Sequence, residues 1–151
     1  MRSAIRAAML ALVTLAAVGS TSPARSEPRR LTIYKSPSCG CCNEWAEHMR
    51  RNGFSVEAHE VADVTPVKAE NGIPSHLASC HTAFVEGYVI EGHVPAADVE
   101  RLLAERPAVS GLAVPGMPVG SPGMEGPNAQ AYDVLSFDAS GHTAVFSSHA
   151  P

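Results

Sequence analysis

Four cysteines are the residues of this chain whose type and spacing could do chemistry. Three of them, Cys39, Cys41 and Cys42, fall within four positions, and the fourth, Cys80, directly precedes His81. Structural cross-links are usually spread along a chain, because closing long loops stabilises a fold most. A cluster is instead typical of a soft-metal site or of thiols that exchange disulfides. Cys39 and Cys42 have the C-x-x-C spacing of a redox dithiol, and Cys41 lies between them.

The first 26 residues predict export. Arg2 and Arg6 form a positive segment, residues 7–18 are apolar but too few to span a bilayer, and residues 24–26 offer a small-residue cleavage site. We therefore expect a signal peptide at residues 1–26, a periplasmic location and no membrane span. The thiols would then work in an oxidising compartment, where cysteines persist only if they are paired, kept reduced or bound to metal.

Residues 27–151 are expected to form one acidic domain of about 125 residues. Removal of the signal peptide takes the formal net charge from −4 to about −7. An acidic chain without a basic patch is a poor nucleic-acid binder, so we expect no nucleic-acid partner. A domain of this length can bury a sizeable core without disulfides, which weakens a purely structural role for the cysteines.

The elements that must position the cysteines follow the α/β order β-α-β-α-β-β-α. Periodicity and turn residues predict strands at 31–34, 54–61, 80–85 and 88–91, and helices at 41–52, 65–71 and 95–105. The apolar stripe of the first helix is Cys42, Trp45 and Met49. The cysteine cluster falls at the N-terminus of this helix, where the dipole and the unpaired N–H groups favour a thiolate.

Two further segments follow this pattern. Residues from about 107 to 131 predict a long Gly- and Pro-rich loop that carries Met117 and Met124, and such a loop inside a compact domain is usually functional or disordered. Residues 132–146 predict a C-terminal β-hairpin, and residues 147–151 are expected to fray.

The cysteine pattern leaves three interpretations open. The first is structural: two disulfides, in which Cys80 pairs with a cluster residue because a Cys41–Cys42 bridge would be strained, or a zinc site of four thiolates. The second is a copper site, because soft thiolates and thioethers select Cu(I) and the crowded C-x-C-C suits bridging of several ions. The third is a thiol–disulfide oxidoreductase, in which Cys39 attacks and Cys42 resolves.

The first strand, the C-x-x-C turn and the helix after it resemble the active-site region of the thioredoxin and glutaredoxin superfamily. Residues 84–92 also resemble the late hairpin of glutaredoxins. That superfamily places a cis-proline before this hairpin, whereas this chain has His81 and Thr82 there, with Cys80 immediately before them. The resemblance implies a thioredoxin-like fold with Cys80 near the other thiols, and the missing proline argues against ordinary dithiol oxidoreductase activity.

A narrower resemblance accounts for this difference. Four motifs occur in order: C-G-C-C at 39–42, S-C-H-T-A at 79–83, G-Y-V-I-E-G-H-V-P at 87–95 and G-L-A-V-P-G-M-P at 111–118. Together they resemble the periplasmic CopG-type copper-resistance family. The resemblance implies a role in copper resistance, with copper held by the C-x-C-C cysteines and Cys80 and with interconversion of Cu(I) and Cu(II).

We therefore expect the cysteine cluster to bind more than one Cu(I) ion. Met117 is a further candidate ligand, and Met124, His81 and His93 are weaker ones. The expected partners are copper ions and other periplasmic copper-handling proteins. Any enzymatic activity would be that of a copper or thiol oxidoreductase.

Overall fold

The computed structural model of the protein describes residues 27–151, and the predicted signal peptide lies outside the described residues. The predicted α/β fold and its element order are confirmed, and three more strands follow. The elements are β1 (Arg29–Lys35), α1 (Gly40–Arg51), β2 (Phe54–Glu60), α2 (Thr65–Glu70), a 3-10 turn (Ser75–Leu77), β3 (His81–Val85), β4 (Tyr88–Glu91), α3 (Ala96–Glu105), β5 (Gly111–Ala113), β6 (Tyr132–Phe137) and β7 (Thr143–His149).

The strands of the described residues form one mixed sheet in the order β2-β1-β3-β4-β5-β6-β7. β1 and β2 are parallel, as the predicted strand–helix–strand unit requires. β3 and β4 form an antiparallel hairpin whose turn residues, Glu86 and Gly87, both have positive φ (46° and 89°). A two-residue hairpin turn of type I′ requires positive φ at both central residues. The predicted C-terminal hairpin, β6 and β7, extends the sheet beyond β5.

The prediction of a structureless loop at about residues 107–131 is wrong in its first part. Gly111–Ala113 forms β5, which is parallel to β4 and antiparallel to β6. A Cβ atom at Gly111 would collide with the carbonyl oxygen of Val89, so glycine allows the two backbones to approach. A three-residue strand that begins with glycine shows no alternation in the sequence, which is why the pattern did not indicate it. Residues 114–131 contain no helix or strand.

The expectation that residues 147–151 fray is also wrong in part, because β7 continues to His149. The His149 ring stacks on Tyr132, with 4.9 Å between ring centroids, and its Nε2 lies 2.7 Å from Asp98 Oδ2. These side chains belong to β6 and α3, so long-range contacts anchor the end of the chain. Sequence spacing alone carried no sign of them.

The main core joins α1 and α3 to the central strands, and it fixes the orientation of α1. The predicted stripe is confirmed, since Cys42, Trp45 and Met49 are all fully buried. Trp45 Nε1 also donates a hydrogen bond to the carbonyl oxygen of Val94 (2.9 Å). Within residues 27–151, no helix is both long and apolar enough to cross a membrane.

Candidate metal centre

The first turn of α1 carries three of the four cysteines. Cys39 is the N-cap residue, and its N–H donates to the carbonyl oxygen of Ser36 (3.1 Å), which closes the preceding loop. Cys42 is buried on the core-facing stripe, whereas Cys41 is half-buried. No side chain caps this helix, so its unpaired N–H groups and its dipole favour thiolates at this end.

Cys39 and Cys42 form a disulfide, and Cys41 and Cys80 are free. The structural interpretation required Cys80 to pair with the cluster, and the structure bridges the C-x-x-C pair instead. This bridge spans a sequence separation of 3, so it closes too short a loop to constrain the unfolded chain strongly. Cys41 Sγ lies 3.5 Å from Cys39 Sγ. The arrangement is that of an exchangeable disulfide beside a third sulfur atom.

Cys80 comes from another part of the chain and immediately precedes β3. Its sulfur and those of the three α1 cysteines all lie within 4.8 Å of one another. Cys42 Sγ also faces the Cys80 carbonyl oxygen at 3.9 Å, across a separation of 38 residues. The structure thus brings together the four cysteines that the sequence singled out.

Cys80 and His81 lie where proteins of the thioredoxin superfamily have a cis-proline and this chain has none. Residues 27–151 contain no cis peptide bond, and the two nearby prolines lie elsewhere: Pro74 precedes the 3-10 turn and Pro95 caps α3. His81 pairs in register with Lys35, the last residue of β1 before the cysteine loop. The Cys80 sulfur therefore lies beside the C-x-x-C pair, whereas the His81 ring packs against Trp45, with 4.4 Å between ring centroids.

His81 and His93 form a second group with Cys80, whose candidate ligand atoms lie within 4.8 Å of one another. Cys80 Sγ lies 3.0 Å from His93 Nε2 and 3.4 Å from His81 Nδ1. His93 Nδ1 lies 2.7 Å from the carbonyl oxygen of Pro122, and donating to it leaves the Nε2 lone pair towards Cys80. Within the described chain, His81 Nε2 has no hydrogen-bond partner.

Burial sets the protonation of these groups. It lowers the pKa of His93, and it lowers that of His81 further, with added repulsion from His93 and Lys68. Both imidazoles are therefore neutral near pH 7 and able to act as ligands. Burial, followed by the charge of Cys41, raises the pKa of Cys80 to about 12. Without a metal ion, Cys80 is thus a neutral thiol.

The loop that carries the methionines lies against the cysteine cluster. A Cβ atom at Gly123 would lie 2.7 Å from the Cys41 carbonyl oxygen and 2.8 Å from the Trp45 nitrogen, so this glycine touches the α1 backbone. The Pro122 carbonyl contacts His93, as described above. Met117 is 49% exposed and Met124 is half-buried. The loop backbone therefore covers the centre, while the Met117 thioether is accessible from solvent.

A polar network beside Cys80 was not predicted from the sequence. The completely buried Glu91 contacts Lys68, Thr82 and the backbone N–H of Ser79. One sequence feature could have indicated a buried partner for Glu91. This glutamate ends a strand whose other residues, Tyr88 to Ile90, are apolar, and a carboxylate in a buried strand has no access to water. Its partner, Lys68, lies on a short helix whose sequence gives no sign of burial.

The described chain is similar to two solved structures of copper-resistance proteins. The first, titled "Copper resistance protein copG- Form 2", is 44% identical with a TM-score of 0.77, and the match covers 82% of this chain and 99% of that chain. The second, titled Form 1, is also 44% identical with a TM-score of 0.78, and the match covers 83% of this chain and 100% of that one.

A family model described as "Protein of unknown function, DUF411" matches residues 77–124, which include Cys80, both candidate histidines and both loop methionines. No curated protein matches this chain.

Proposed function

This chain belongs to the CopG copper-resistance protein family, and from that premise we propose that it binds Cu(I) in the cluster of Cys39, Cys41, Cys42 and Cys80. The observation that carries this proposal is the set of four sulfur atoms within 4.8 Å of one another. Thiolate sulfur is a soft ligand that selects Cu(I), and the donors present therefore fit this ion.

The cluster is expected to hold more than one copper ion. Each thiolate can bridge two metal ions, and three cysteines within one helical turn crowd a single tetrahedral site. Because Cys39 and Cys42 are joined in the disulfide, full loading requires its two-electron reduction. The oxidised protein would offer only the thiols of Cys41 and Cys80.

We assign secondary roles to the neighbouring side chains. His93 and His81 are neutral imidazoles within reach of Cys80 and can complete the coordination of copper at that sulfur. Met117, with Met124 as a weaker candidate, would supply thioether sulfur from the loop and keep water and oxygen from Cu(I).

The C-x-x-C pair can also reduce Cu(II) to Cu(I), which is one direction of the expected interconversion. Two thiols, Cys39 and Cys42, would each give one electron to a Cu(II) ion. The products are the disulfide, two Cu(I) ions and two protons. A colorimetric Cu(I) chelator and thiol counting should then find one disulfide formed for every two Cu(I) ions. Cu(I) formation without loss of thiols would contradict this stoichiometry.

The test of copper binding is anaerobic titration of the reduced protein with Cu(I), followed by elemental analysis. We expect more than one Cu(I) per chain in the reduced protein and fewer in the disulfide form. A reduced protein that carries only zinc and does not exchange it for Cu(I) would sink the proposal.

Thiol–disulfide exchange is the second candidate function, and the Cys39–Cys42 disulfide at a helix N-terminus favours it. Such an enzyme needs only Cys39 and Cys42, whereas copper bridging also needs Cys41. Disulfide-reductase activity that survives Cys41→Ser, together with undiminished Cu(I) binding, would favour this second function over the first.

We place this activity in the periplasm, where the predicted signal peptide would deliver the protein and where other copper-handling proteins would be its partners. Fractionation of cells that express the full chain should recover a processed protein in the periplasmic fraction. Recovery of the unprocessed chain in the cytoplasm would contradict this location.

A further inference from the structure

A buried ion pair lies outside the cysteine cluster and is not part of the proposed copper ligand set. Lys68 Nζ on α2 lies 2.5 Å from Oε1 of the fully buried Glu91 at the end of β4. Thr82 joins both groups, because its hydroxyl accepts from Lys68 (2.9 Å) and donates to Glu91 Oε2 (2.7 Å). Removing two charges from water costs so much that such a pair adds little to stability by itself.

The Glu91 carboxylate also holds the backbone beside Cys80. Glu91 Oε1 accepts a hydrogen bond from the N–H of Ser79 at 2.6 Å. Ser79 directly precedes Cys80, and Thr82 follows Cys80 by two positions. The carboxylate therefore contacts the chain on both sides of the candidate copper ligand.

The same backbone segment is confined from other directions. The Ser79 hydroxyl donates to the Gly116 carbonyl oxygen, and the Gly116 N–H donates to the Ala78 carbonyl oxygen (3.4 Å). At Gly92, directly after Glu91, a Cβ atom would collide with the Ser79 side chain. Residues 78–79 are thus held between the end of β4 and residues 114–131, the Met117 loop.

We propose that Lys68 and Glu91 are positioning residues for Cys80: Glu91 fixes the backbone ahead of the thiol, and Lys68 with Thr82 orients the carboxylate. The proposal rests on the proposed copper function. Cys39, Cys41 and Cys42 need no such support, because α1 itself orders them. Cys80 follows residues that belong to no helix or strand, so its position depends on side-chain contacts.

The alternative is that the ion pair only attaches α2 to the sheet, and two matched double variants separate the roles. Lys68→Met with Glu91→Leu removes the charges and the acceptor for Ser79. Lys68→Met with Glu91→Gln removes the charges but keeps a side-chain oxygen for the Ser79 N–H. Replacement of a buried ion pair by apolar residues of similar volume is often neutral for stability, so both proteins should fold.

The experiment is anaerobic competition for Cu(I) between each reduced variant and a colorimetric chelator. For the Met/Leu variant we expect a loss of about 10–100-fold in Cu(I) affinity, the usual effect of removing a residue that orients a metal ligand. Adding Cys80→Ser should cause little further loss, since both changes act on the same ligand. The Met/Gln variant should keep most of the wild-type affinity. Equal affinities of the two double variants, at any level, would overturn the proposal.

A copper-free measurement separates this proposal from the copper function. In the disulfide form, the alkylation rate of Cys80 should increase in the Met/Leu variant and stay near wild type in the Met/Gln variant. This comparison still tests the positioning role if the wild-type protein binds no Cu(I), an outcome that would defeat only the copper function. Equal alkylation rates in the two variants would overturn the positioning role.

If the Met/Leu variant does not fold, Glu91→Asp replaces it. The shorter side chain keeps the charge but withdraws the carboxylate from Ser79, so both Cu(I) affinity and Cys80 protection should fall. Wild-type values of both in Glu91→Asp would contradict the proposal. Glu105→Asp is the control, because this exposed glutamate on α3 pairs with Arg101 rather than with Ser79 or Lys68, and it should bind Cu(I) with wild-type affinity.

Discussion

Cys41 and Cys80 are free thiols of the same cluster, but different kinds of contact hold them in place. Cys41 lies in the first turn of α1, whose buried stripe and helix start are local features of the sequence. Cys80 lies just outside β3, and the residues beside it contact β4 through Ser79, α2 through Thr82 and the Met117 loop through Ala78. The half of the centre on α1, which carries Cys41, is thus determined by the spacing of nearby residues. The far half, Cys80, depends on residues that are distant in sequence. Mutations far from Cys80 should therefore affect copper binding.

The largest effect should come from removing one thiol of either half. Cys41→Ser and Cys80→Ser should each lower the number of Cu(I) ions bound about as severely as Cys39→Ser, because a bridged cluster fails when any bridge is lost. Anaerobic titration of the reduced variants measures this, with the exposed Ser148→Ala as a control for handling. Full copper loading in either single variant would mean that the two halves do not form one cluster.

The next largest effect should come from lifting the loop that spans the two halves. Gly123 has φ +85° and touches the α1 backbone, so Gly123→Ala should displace the loop and speed air oxidation of bound Cu(I). Gly53→Ala is the matched control, because Gly53 also has positive φ (+86°) but has open space around its Cα and follows the opposite end of α1. Both variants should lose about 1 kcal/mol of stability from backbone strain. Equal oxidation rates in the two variants would contradict a covering role.

The same contrast between local and long-range contacts decides what could be predicted from the sequence. The α1 stripe, the Glu86–Gly87 turn and the C-x-C-C position follow from spacing within a few residues, and the structure agrees with them. The family resemblance correctly indicated that Cys80 lies near the other thiols, since no local pattern could. β5 escaped because its pairing depends on a close approach between Gly111 and β4.

The buried ion pair of Lys68 and Glu91 could not be predicted from the sequence for a related reason. Lys68 occupies a short helix of ordinary composition, and its burial results from the placement of α2 over the sheet. A charged residue in a sequence is usually exposed, so its type argues against the position that it takes here. Only the folded structure identifies the pair.

A smaller effect is expected at Met117. Met117→Leu keeps the bulk of the side chain and removes the soft sulfur, so Cu(I) binding should stay largely intact while air oxidation becomes faster. The half-exposed position of Met117 implies a milder change than that in Gly123→Ala. Absorption in the d–d region after exposure to air reports Cu(II) formation. An oxidation rate identical to wild type would remove Met117 from the set of ligands.

The smallest effect concerns the copper-free protein. Burial raises the pKa of Cys80 from 9.0 to about 12, so the thiolate fraction in the disulfide form should be very small at pH 8. Since thiolates are the species that react, alkylation of Cys80 should be slow at pH 8 and should keep accelerating above about pH 10, where an ordinary cysteine levels off. Mass spectrometry of iodoacetamide-treated protein measures this rate. A plateau near pH 10 would show that Cys80 is solvated like a surface thiol.

The most direct test of the central claim is copper X-ray absorption spectroscopy of the Cu(I)-loaded, reduced protein. If the four cysteines from the two halves bridge several ions, the spectrum will have sulfur as the dominant ligand and a copper–copper scattering path. Cys80→Ser should weaken that path, and Lys68→Met with Glu91→Leu should weaken it similarly. A spectrum of isolated copper ions without copper–copper scattering, unchanged by Cys80→Ser, would contradict the account.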